Sequence, residues 1–94
     1  MLKLEDCICR SDDIVSRDVG GETVLLDLEA GTYFGLNHVG GRLWQLLEGG
    51  SRSLKQLCDE LEREFEVDRS VLEADVVALA NELQENGLAK IEQQ

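Results

Sequence analysis

A pair of adjacent glycines constrains this chain more than any other feature. Gly20-Gly21 separates Ile14–Val19 from Glu22–Leu28 by two residues, and so short a connection folds the flanking runs back on each other as a hairpin. The favoured two-residue turns need positive φ at their central positions, which glycine adopts without a steric penalty. In the second run Val24, Leu26 and Leu28 alternate with Thr23, Leu25 and Asp27, the period of a strand with one face in the core. A further turn, Leu28-Glu29-Ala30-Gly31, leads into Thr32-Tyr33-Phe34-Gly35-Leu36. The spacing predicts a three-stranded antiparallel meander over 14–19, 22–28 and 32–36, with the second strand in the middle.

At Asn37, a plausible N-cap, the period changes. Val39, Leu43, Leu46 and Leu47 recur at helical spacing until Glu48-Gly49-Gly50. Ser53 and Gln56 form a capping box, followed by the stripe Leu54, Leu57, Cys58, Leu61 and Phe65. A third helix starts at Asp68 or Ser70, carries Leu72, Val76, Leu79, Ala80 and Leu83 on one face, and closes at Asn86-Gly87. Leu88–Ile91 can add a short tail strand. The expectation is an α+β fold, winged-helix-turn-helix-like, with the three-stranded antiparallel meander followed by three helices. It forms one domain over 1–94 with its core in 14–91.

Size and charge narrow the function. Ninety-four residues suit one small domain. The longest purely apolar runs are Val24–Leu26 and Val76–Ala80, far short of the roughly 18–20 residues that span a membrane. The opening Met1-Leu2-Lys3-Leu4-Glu5-Asp6 lacks the layout of a secretion signal, so a cytoplasmic protein is expected. Twenty acids against nine bases leave a net charge of −11, which repels polyanions and anionic membrane surfaces alike. A helix-turn-helix layout could place its second helix in DNA. Here that helix offers Arg69 alone beside Asp68, Glu73 and Asp75, with Glu82 and Glu85 further on. A DNA-binding regulator is therefore the weaker reading, and neither a nucleic-acid nor a membrane partner is expected.

Catalysis has little to stand on. The chain has one histidine, His38, at a helix start, and no nucleophile-elbow or phosphate-binding glycine pattern. Cys7-x-Cys9 and Cys58 are too few and too scattered for a closed zinc site. Neither an enzyme, a metal site nor a cofactor is expected.

The third strand is unusual for a sheet edge. Soluble proteins blunt edges with charge, proline or a bulge, as Arg17 and Asp18 do on the first strand. Thr32–Leu36 has no charge and no proline, two of its five residues are aromatic, and Gly35 leaves room for another backbone. A partner strand could add there, with Leu72, Val76 and Leu79 of the third helix as the second wall of a groove. Alternatively, the tail Leu88–Ile91 covers this edge, Tyr33 and Phe34 are ordinary core, or the edge pairs with a second copy as a homodimer.

The run Leu25-Leu26-Asp27-Leu28, then Gly31-x-Tyr33-Phe34-Gly35-Leu36-Asn37, Gly40 and Leu43-Trp44-Gln45-Leu46-Leu47 resembles the PqqD family. Asp75 and the ending Leu83-x-x-x-Gly87-Leu88 extend the likeness, which runs from Ile14 to Ile91. The eponymous member serves pyrroloquinoline quinone biosynthesis, and relatives act in lasso-peptide and similar pathways. The resemblance implies a non-catalytic chaperone that binds the leader of a ribosomal precursor peptide by β-strand addition. It presents that peptide to a radical SAM enzyme or a leader peptidase. The implied binding residues are Tyr33, Phe34, Gly35 and Leu36 with Leu72, Asp75, Val76 and Leu79. Trp44 is expected in the core, Asn37 as a cap and Gly40 as a close-packing point. Asp75 would bond leader backbone or a leader Lys or Arg.

Overall fold

The computed structural model describes residues 2–92. Strands β1 (Cys7–Arg10), β2 (Ile14–Val19), β3 (Glu22–Asp27) and β4 (Thr32–Leu36) precede helix α1 (His38–Leu46). A 3-10 turn over Leu47–Gly49 and strand β5 (Arg52–Ser53) lead to helices α2 (Leu54–Glu64) and α3 (Arg69–Glu85), and strand β6 (Ala89–Glu92) follows. The fold is α+β, with the expected antiparallel meander β2-β3-β4 ahead of three helices. The turn glycines Gly20 and Gly21 both take positive φ, +60° and +88°.

A second sheet was not foreseen. β1 pairs antiparallel with β5 and with β6, giving the order β5-β1-β6. The tail strand therefore exists, but it joins β1 and leaves β4 uncovered, which removes the reading in which the tail shields that edge. β1 carries one core residue, Ile8, flanked by half-buried Cys7 and Cys9. Its worth lies in what it braces. The Arg10 guanidinium sits 4.6 Å over the Trp44 ring and donates from Nε to the Trp44 carbonyl at 3.1 Å. Arg52 Nε, from β5, donates to the Leu46 carbonyl at 2.8 Å. Two cations thus add hydrogen bonds to carbonyls in the last turn of α1, where the Leu47 N–H also donates to the Trp44 carbonyl and the helix dipole favours positive charge.

Register decides which face of the meander is inside. Leu25 lies opposite Phe34 and Thr23 opposite Leu36, and these inward residues meet the helices. Thr23, Leu25 and Leu36 are buried and Phe34 is half-buried. Val24, Leu26 and Leu28 turn away from the core despite being the more uniformly apolar set. The caps follow the sequence: Asn37 Oδ1 accepts from Gly40 N at 2.9 Å, Ser53 and Gln56 form the full capping box, and Asp68 caps α3. Leu54, Leu57, Cys58 and Leu61 of α2 are fully buried with Trp44 and Leu83. Burial pushes the Cys58 thiol up from its ordinary value.

Gly41 lets α1 pack closely against Thr23 on the sheet. A Cβ there would run into Thr23 Oγ1 and lie 3.2 Å from Thr23 Cβ. Thr23 is β-branched and sits on the middle strand, so it cannot swing aside. In a double-mutant cycle, Gly41→Ala should destabilise the wild type, since overpacking of this kind costs about 1–3 kcal/mol. On a Thr23→Ala background the same change should cost less, because Oγ1 is gone and only the milder 3.2 Å approach to the residue 23 Cβ remains, so the coupling between the two sites is unfavourable in the wild type. Urea unfolding of the four proteins reads the sign directly.

Candidate functional site

β4 ends the sheet order, with no strand beside its outer edge among the described residues. Directly alongside runs a groove of about 380 Å³. Phe34, Gly35 and Leu36 of β4 form one wall, and Leu72, Val76 and Leu79 of α3 form the other. The floor comes from the start of α1, through Val39, Gly40 and Leu43. Gly40 sets that floor, because a Cβ there would stand 3.3 Å from both Leu36 Cδ2 and Leu79 Cδ2. The absence of a side chain lets α1 touch both walls at once.

The groove is apolar at depth and acidic at its rim. Leu36, Leu72 and Val76 are almost fully buried, while Phe34 and Leu79 are half-buried. The charged lining residues are Asp75 and Glu82, both exposed and two turns apart on α3. The Asp75 carboxylate takes part in none of the ion pairs found among the described residues.

The α3 wall is anchored at its N-terminal end. Arg69 reaches Asp59 at 2.9 Å and Glu62 at 3.4 Å on α2, and Glu73 at 2.8 Å on α3 itself. Hydrogen bonds to Glu73 and Asp59 hold its guanidinium firmly protonated. Asp68 accepts from Ser70 Oγ at 2.6 Å and from Ser70 N at 2.9 Å, and these bonds hold its carboxyl below the ordinary aspartate range.

Of the eight residues expected from the sequence, seven converge on this groove: Phe34, Gly35, Leu36, Leu72, Asp75, Val76 and Leu79. Tyr33 does not line it. Strand alternation turns Tyr33 away from Phe34, onto the outer face of the sheet, where it is 79% exposed. Val67 and Val71 line the groove and were missed. Both carried a signal. Val71 falls four residues before Asp75 on the same helical stripe. Val67 precedes the Asp68 cap by one position and Leu72 by five, the spacing of a hydrophobic staple.

Other chemistry is sparse. A shallower hollow on the far side of α1 holds His38 with Asp18, Thr23 and Arg42. Among the described residues no group of three or more His, Cys, Asp or Glu side chains is placed to hold a metal. No described helix is long and apolar enough to cross a membrane.

Residues 22–89, which include both walls of the groove, match the family model described as Coenzyme PQQ synthesis protein D (PqqD). The chain belongs to the PqqD family. Two solved structures resemble this PqqD-family chain over nearly its whole length. One is TbiB1 in complex with the TbiA(beta) leader peptide, with a TM-score of 0.78 and 37% identity, covering 92% of this chain and 99% of that one. The other is a lasso peptide synthetase B1 complexed with the leader peptide, with a TM-score of 0.73 and 33% identity, covering 88% and 96%. No curated protein matches the chain.

The Asp68 cap makes the α3 wall sensitive to acid. A carboxyl whose folded-state pKa is lowered contributes stability that is present above its unfolded value and is lost as pH falls through the folded one. The melting temperature of Asp68→Ala should therefore lie furthest below that of the wild type near neutral pH. The gap should close as pH drops below the ordinary aspartate value of 3.8. Thermal unfolding monitored by circular dichroism across pH tests this.

Proposed function

We propose that this protein is a non-catalytic recognition element that binds the leader of a ribosomally made precursor peptide as an added strand along β4. The observation that carries the reading is an open, uncharged strand edge beside an apolar groove whose far wall is α3. A peptide laid along that edge gains main-chain hydrogen bonds regardless of its sequence, while alternate side chains enter the groove and supply specificity. Gly35 lets the incoming backbone come close. Phe34, Leu36, Leu72, Val76 and Leu79 offer apolar contact, and Asp75 and Glu82 favour a leader carrying Lys or Arg near the mouth. Tyr33 lies beside the added strand rather than beneath it. The two structural relatives were both solved with leader peptides, and their identity to this chain supports the same role here.

The bound leader is then presented to an enzyme, a radical SAM protein or a leader peptidase, in the cytoplasm. A DNA-binding role fits poorly: the α3 side chains that would have to face a groove of DNA include Asp75 and Glu82, within a chain of −11.

Fluorescence polarisation with a labelled synthetic leader, taken from the precursor encoded beside this protein, tests the assignment. The wild type should bind saturably. Leu79→Asp should weaken binding by about a hundredfold or more, since it buries an unpaired carboxylate against apolar leader side chains. Leu79 is only half-buried, so the variant should keep a cooperative urea transition. Normal leader binding by the folded variant would remove Leu79 and the groove from the site.

A further inference from the structure

Seven large apolar side chains are exposed among the described residues. Val67 and Val71 line the groove. Val15, Val19, Leu26 and Tyr33 belong to the outer face of the β2-β3-β4 sheet, opposite the core, and Leu28 follows β3 in the turn to β4. The register makes three of them one continuous row: Val15 lies opposite Leu26, and Leu26 opposite Tyr33. Single exposed leucines and valines are ordinary on a monomer. A row crossing an entire sheet is not, because contiguous apolar surface of this kind marks an interaction site.

We propose that this outer face is the docking surface for the enzyme that acts on the peptide, and that a bound leader completes it. The inference rests on the leader-binding reading. A strand added to β4 extends this same sheet, and the leader side chains that do not enter the groove must project onto the outer face beside Tyr33. Gly35, the next outward position on β4, contributes no side chain to stand between them and a partner. A protein seated on Val15, Leu26 and Tyr33 therefore also touches the leader, and it meets a larger surface when the leader is present. The module would discriminate loaded from empty by contact area alone, with no conformational change.

Charge selects the occupant. In a chain of −11, the rows of this face carry one cation and one anion, Arg17 opposite Val24 and Glu22 opposite Val19. The face is an electrically balanced apolar patch on a strongly acidic chain. A second copy would bring another −11 against the first, and an anionic membrane is repelled in the same way. A protein with an apolar centre and a basic rim fits, and the enzyme is the protein that must reach a leader held at this edge.

Biolayer interferometry with the modifying or processing enzyme encoded beside the precursor tests the proposal, with polarisation of the labelled leader run on the same preparations. Leu26→Lys and Val15→Lys each place a charge in the row without touching the groove. Leader affinity should stay within about twofold of the wild type, while enzyme affinity for the loaded module falls about tenfold or more. The enzyme should also bind the empty wild type more weakly than the loaded one. Val15 is on the strand furthest from β4, so its variant stays informative if Leu26→Lys fails to fold. Equal enzyme affinity for a folded variant and the wild type would overturn the proposal, as would no enzyme binding to loaded wild type. So would loss of leader binding by Val15→Lys, or light scattering that shows wild-type dimers broken by these substitutions. If polarisation shows no leader binding by the wild type, the proposed function falls and this inference with it. Failure confined to the enzyme measurement removes only the docking surface.

Discussion

The groove between β4 and α3 depends on how closely the first turn of α1 approaches the meander and α3. Gly40 and Gly41 make that approach: a Cβ on one would crowd Leu36 and Leu79, and on the other would run into Thr23. Glycine inside a helix costs roughly 1 kcal/mol relative to alanine, so two in succession are an expense that only tertiary packing offsets. The return is geometric. With α1 pressed against the sheet, β4 and α3 stand on either side of its N-terminal turn, and the gap between them becomes a groove with a closed floor rather than a cleft open to solvent.

The rest of the molecule holds that arrangement still. Asn37 caps α1 where it leaves β4, so strand edge and helix start are joined by a single residue. At the other end of α1, Arg10 and Arg52 reach from the second sheet to the carbonyls of Trp44 and Leu46. Arg69 ties the start of α3 to α2 through Asp59 and Glu62. Each wall of the groove thus rests on a regular element pinned at its end. The strand addition proposed above needs a rigid edge, because ordering the peptide already carries a large entropic cost.

Much of this was legible in the sequence, and the parts that were not share a cause. The meander could be read because its turns are local: two glycines fix the first hairpin, and Gly31 helps close the second. The helices could be read because caps and stripes are local as well. β1 escaped notice because its four residues, Cys7–Arg10, hold a single core side chain, and its partners β5 and β6 lie far along the chain, at Arg52–Ser53 and Ala89–Glu92. β6 was expected as a strand, but nothing near Leu88–Ile91 reveals that it pairs with β1 instead of β4. The inner face of β3 could not be chosen from β3 alone. Val24, Leu26 and Leu28 are the more apolar set, yet cross-strand pairing with Phe34 and Leu36, and the approach of Gly41 to Thr23, turn Thr23 and Leu25 inward. The same alternation separates Tyr33 from its neighbours on β4. The sequence left the choice of face open on both strands, and the apolar residues turned outward form the second surface described above.

The most direct test of the central claim is an amide-shift NMR titration of isotope-labelled protein with the synthetic leader. Strand addition at β4 predicts that the largest shifts fall on residues 32–36 and on the groove-facing positions of α3 from Val71 to Glu82. Amide protons along β4 should also become protected from solvent exchange as the peptide saturates. Saturable binding with shifts centred elsewhere, on the β5-β1-β6 sheet or the His38 hollow, and no new protection along β4 would contradict the account.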